Sequence, residues 1–252
     1  MDKELLPFVT DETERNFEVT MPDGNKVKLK INRATQNQLL DIDKVYRIAY
    51  SKLLRSGCLT NAEVEKYVKK NEIWMDEDDE KVAELQNEMI SIEQQLADKS
   101  YKMQEEGYLK AIKLSELRDE IYQMSRKIGS IYDNTCENAS DELRMQHLCV
   151  KTTFKQDNTS FFQDFDDFST RANEDATAEA LRQCILFNSR LKENFMMDLP
   201  ENQWMQDNGF MDDKGTLIKK EKTEEKTEDK VPEKAEEKPK KPKKTKKAKS
   251  GK

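Results

Sequence analysis

Five consecutive acids, Asp76 to Glu80, are the densest run of potential metal ligands or acid–base groups in the chain. Paired carboxylates can hold a hard cation or share a proton, but a cation loop gathers its ligands around a glycine-enforced bend. No glycine stands near these five. The neighbouring residues explain them differently: Val82, Leu85, Met89, Ile92 and Leu96 step by 3, 4, 3 and 4 residues. That is a heptad seam, so the acids fall in the first turn of a helix, where the dipole favours negative charge.

A second carboxylate group, Asp164, Asp166 and Asp167, is interleaved with Phe161, Phe162, Phe165 and Phe168. It lacks any glycine-rich context and reads as solvated charge at a helix start, with the aromatics as core. Zinc needs four ligands, commonly in close pairs such as CxxC. Cys58, Cys136, Cys149 and Cys184 are scattered, and His147 is the one histidine. A Cys–His nucleophile would need His147 folded against a distant cysteine, since Cys149 lies two positions along the same presumed helix. No GxGxxG, GxxxxGK[ST] or GxSxG string occurs. No catalytic residue, metal ligand or cofactor site is expected, and the chain reads as non-enzymatic.

The elements must therefore carry the function by shape. Of 252 residues 35% are hydrophobic and 38% charged, which favours amphipathic helices over a thick α/β core. The net charge of −7 is asymmetric: residues 219–252 hold fifteen lysines against eight acids, a balance of +7, leaving −14 on residues 1–218. There is no apolar leader and no run long enough to span a bilayer. Reduced thiols in a cytoplasm, host or otherwise, are the simplest expectation.

Phe17, Val19 and Met21, then Val27, Leu29 and Ile31, alternate with polar residues around Pro22-Asp23-Gly24-Asn25, a hairpin signal. Its apolar face needs a support, and the helices next in the chain are the expected one. Thr35 with Gln38 has capping-box spacing and opens a helix over 36–56, whose inner face is read as Leu39, Leu40, Ile42, Val45, Tyr46, Ile48, Ala49, Leu53 and Leu54. Thr60 with Glu63 opens a second helix, ending near Ile73-Trp74.

Leu114, Leu117, Ile121, Met124, Ile128 and Ile131 form another seam, out of phase with the first. A break near Asp98 to Glu106, helped by Gly107, gives an antiparallel helical hairpin. One long stuttered helix pairing with a second chain is the alternative, so the oligomeric state stays open. Further helices are expected over 140–152 and 173–191. The fold class is mainly α: a β-hairpin on a small helical unit, a coiled-coil-like helical hairpin, further helices and a disordered tail. The expected divisions are an N-terminal arm (1–16), hairpin and two-helix unit (17–75), helical hairpin (76–133), C-terminal helical segment (134–199), extended arm (200–218) and Lys/Glu-rich tail (219–252).

The β-hairpin running through KLKINRATQNQLLDIDKVYRIAYSKLL into a helical body, with YSKLLRSGCLTNAEVEKYVKKNEIW and LPENQWMQDNGFMDDKGTLI, resembles the tail assembly chaperones of tailed bacteriophages and other small phage virion-assembly proteins. The resemblance implies binding rather than chemistry: holding an aggregation-prone tail component such as the tape measure, in the host cytoplasm or on the virion. Met89, Met103, Met124, Trp204 and Phe210 are the candidate partner-binding residues, methionine because it adapts to irregular surfaces. The alternative is a nucleic-acid-associated protein whose lysines in 238–252 bind phosphates without sequence preference.

Overall fold

The computed structural model describes residues 9–218; the lysine-rich stretch read as a tail, and residues 1–8, lie outside them. The described chain is mainly α, with β1 (Glu14–Thr20) and β2 (Lys26–Asn32) leading into α1 (Gln36–Arg55), α2 (Asn61–Lys70), α3 (Asp76–Ala97) and α4 (Gln104–Tyr132). After these come α5 (Cys136–Thr152), β3 (Thr153–Lys155), α6 (Phe165–Thr170), α7 (Asp175–Asn188) and α8 (Pro200–Asp207).

Local signals behave as elementary chemistry requires. Asp23 accepts from the Asn25 N–H at 3.0 Å, and Gly24 takes φ +82°, closing the β1–β2 turn. Thr35 and Gln38, then Thr60 and Glu63, form reciprocal capping boxes on α1 and α2. In the acidic run, Asp78 accepts from the Met75 N–H at 2.9 Å and Asp79 from the Trp74 indole at 2.7 Å. These acids start a helix and fasten the chain entering it.

The sheet has the order β1-β2-β3, all antiparallel, and β3, for which the sequence carries no local signal, continues directly from α5. The support of the hairpin also differs from expectation. Val19, Leu29 and Ile31 are packed with Cys149 and Val150 of α5, Ala176, Ala180, Cys184 and Phe187 of α7, and Phe161, Phe162 and Phe168. Residues more than a hundred positions downstream cover the sheet, because α5 and α7 offer small and aromatic residues that fill a flat pleated face. The N-terminal arm joins this body through the Val9–Leu191 bridge, and buried Arg15 donates to the Leu191 carbonyl at 2.6 Å.

The two heptad seams meet as an antiparallel hairpin. Ile92 and Leu96 of α3 are buried with Ala111, Leu114 and Leu117 of α4, and Lys81–Glu120 (2.7 Å) and Lys113–Glu88 (3.8 Å) ladder its flank. Gly107 does not make the break: it sits inside α4, and the turn is made by residues 98–103, with Lys99 at φ +52°. The segment expected as an extended arm is instead α8 and a short Met211–Leu217 bridge, docked on the hairpin through Trp204 and Met205.

Candidate protein-binding surfaces

α1 carries aliphatic side chains on both sides, those of the outer side mixed with polar and charged residues. Its inner face, with buried Ile42 and half-buried Val45, Tyr46, Ala49 and Leu53, lies along α5, where Arg144 sits 5.6 Å from the centre of the Tyr46 ring. At 3.6 residues per turn, Leu40, Arg47, Ile48, Ser51, Leu54 and Arg55 fall on the opposite face. Leu40, Ile48 and Leu54, read from periodicity as inner-face residues, are 50%, 57% and 49% exposed. Arg47 and Arg55 are exposed beside them, while Lys44 is paired with Asp41 at 2.9 Å, so this face joins aliphatic side chains to two arginines.

The second surface is the hairpin tip under α8. Trp204 donates to the Tyr101 hydroxyl at 3.0 Å, and Phe210 stacks between Tyr108 (4.6 Å) and Trp204 (5.7 Å). A cleft of about 600 Å³ opens here over Leu96, Tyr101, Pro200 and Trp204, edged by the Gln94 and Gln203 amides. Beneath it Arg118 of α4 pairs with Glu93 of α3 and, at 2.6 Å, with buried Glu201 of α8. Neither ionic partner of Arg118 is signalled by spacing, because the three residues come from three helices.

Of the five residues expected to contact a partner, Met103 is 63% exposed, at the start of α4. Met89 and Met124 are half-buried on the seam-bearing faces of α3 and α4, Trp204 is buried, and Phe210 packs on the hairpin core. Apart from Met103, their apolar surface is largely taken up inside the chain. The outer face of α1 escapes sequence reasoning as a surface because periodicity alone cannot say which part of a broadly apolar helix turns inward.

The residues weighed for chemistry all have structural places. His147 stacks on Phe165 with ring centres 4.0 Å apart, and burial, then Lys151, hold its pKa below the usual imidazole range. Asp164 caps α6 by accepting from the Asp167 N–H at 2.8 Å. Asp167 lies 3.7 Å from Arg171, whose guanidinium is 4.5 Å from the centre of the Phe161 ring. Among the described residues no three His, Cys, Asp or Glu side chains converge as metal ligands would. No helix among them is long and apolar enough to cross a membrane. No family model, curated protein or solved structure matches the chain.

Proposed function

We propose that this protein is a non-enzymatic assembly factor that holds a partner protein on the outer face of α1, the partner being a tail component of a tailed bacteriophage such as the tape measure. The observation that carries the reading is the two-sided α1. A helix whose inner face is already packed gains nothing in stability from a second aliphatic face, and an exposed apolar patch rimmed by charge is the usual mark of a protein contact. Leu40, Ile48 and Leu54, set beside Arg47 and Arg55, suit an amphipathic partner helix that presents aliphatic side chains beside acids. The resemblance in sequence layout supplies the phage and tape-measure part of the proposal.

The test is co-expression with the tape-measure protein of the encoding genome. A soluble complex is expected with the full chain, and the Leu40→Glu, Ile48→Glu, Leu54→Glu triple variant is expected to lose it while its melting temperature stays unchanged. Absence of any complex with the unaltered chain contradicts the reading. The nucleic-acid alternative rests on the nine lysines beyond Glu237, and truncation after Ile218 tests it.

A further inference from the structure

Two chain elbows lie against each other where the sheet-bearing body meets the helical hairpin. One is the α1–α2 connector around Cys58; the other is the α4–α5 connector and the start of α5 at Cys136. The Cys136 N–H donates to the Leu59 carbonyl at 2.9 Å, and its thiol donates to the Cys58 carbonyl at 3.2 Å. In return the Cys58 thiol donates to the Asn134 carbonyl at 2.9 Å. The Asn61 N–H is held by the Glu137 carboxylate at 2.9 Å. Each thiol thus bonds a carbonyl of the segment that carries the other, with Cys58 half-buried and Cys136 buried, a juxtaposition of the kind from which a disulfide forms.

We propose that Cys58 and Cys136 are a reversible disulfide site, formed by hydrogen peroxide, that staples the two elbows and fixes the helical hairpin against the sheet-bearing body. Cys58 is half-buried where Cys136 is fully buried, so it is the residue of the two nearer to solvent. Its thiolate attacks peroxide and becomes a sulfenic acid, and the hydroxide that leaves takes up the proton the thiol had released, as one water. The Cys136 sulfur then attacks the Cys58 sulfur, and the hydroxide that leaves takes the Cys136 proton as a second water. Two thiols lose two electrons and one peroxide gains them. The bond closes a loop spanning 78 positions, which contains all of α2, α3 and α4. Burial, with Cys58 alongside, pushes the Cys136 thiol up to about 11, so the pair rests reduced until an oxidant has acted on Cys58.

Cys149 and Cys184 form the internal contrast. They also lie together, bracketed by Thr153 at 3.6 Å and Thr152 at 3.9 Å, but both are fully buried. Oxidant has no route to them in the folded chain.

The test treats the folded full chain with hydrogen peroxide and follows intact mass and tryptic peptides. Expected are a loss of about 2 Da, the two thiol hydrogens, reversed by dithiothreitol, and a peptide of residues 56–66 linked to one of residues 128–144. Cys58→Ser, at a half-buried position, is expected to abolish both, while Cys149→Ser leaves both intact. Oxygen addition at Cys58 with no linked peptide overturns the proposal, as does a covalent dimer through Cys58 or a link mapping to Cys149 and Cys184. The linked peptide is read on the unaltered chain, so the result does not depend on any variant folding.

Discussion

Gly107 and Trp204 are in direct apposition: a Cβ at position 107 would stand 2.3 Å from Cζ2 of the indole. The glycine lets α8 lie flat across the start of α4. Gly107→Ala should gain about 1 kcal/mol of helix preference but force the rigid ring out of place, for a net loss of about 1–2 kcal/mol. Adding Trp204→Leu should make the alanine harmless, a coupling that thermal unfolding of the double-variant cycle would reveal. Additive losses would contradict the contact.

Arg118 is the cation that permits Glu201 to be buried. Removing it with Arg118→Ala leaves a carboxylate of 3% side-chain exposure without its cation, and is expected to cost about 3 kcal/mol in chemical denaturation. Replacing Glu201 and Arg118 together by leucine should restore most of that stability. A full loss in the double variant would show that the pair contributes net binding of α8 rather than mere neutralisation.

Acid should weaken the body through His147. Its folded pKa lies below the ordinary 6.5 because burial against Phe165, and then Lys151, disfavour the imidazolium. Between those two values the unfolded chain binds more protons, so stability rises with pH across that window and falls as the solution is acidified below about 6.5. His147→Phe keeps a stacked ring without a proton to bind. Its unfolding free energy should lose this part of the pH slope, and an unchanged slope would contradict the assignment.

Phe162 anchors the sheet to α6 and α7, with ring centres 4.6 Å from Phe161 and 5.1 Å from Phe168. Phe162→Ala should cost about 3–5 kcal/mol in chemical denaturation. Truncation after Ile218, by contrast, should leave thermal unfolding of the described body unchanged.

Those outcomes reflect the division between what local sequence could and could not convey. Capping boxes at Thr35 and Thr60, the Pro22–Asn25 turn and both heptad seams are short-range signals, and each produced the element it implied. The cover of the sheet was not legible, since Leu29 meets Lys155 and Ile31 meets Thr153 across a gap no local pattern spans. Gly107 looked like a helix breaker because a helical glycine and a glycine cut away for an indole look alike in one dimension. Leu40, Ile48 and Leu54 looked like core because α1 is apolar around much of its circumference. The juxtaposition of Cys58 with Cys136 likewise exists only once the two elbows are folded together.

The central claim, that the outer face of α1 is the working surface, is tested most directly by placing a photo-crosslinking residue at position 48 and irradiating the full chain with the tape-measure protein of the encoding genome. A covalent adduct is predicted at position 48 and none at position 84, on the acidic side of α3. Equal crosslinking at both positions, or none at 48 while the complex still forms, would contradict it.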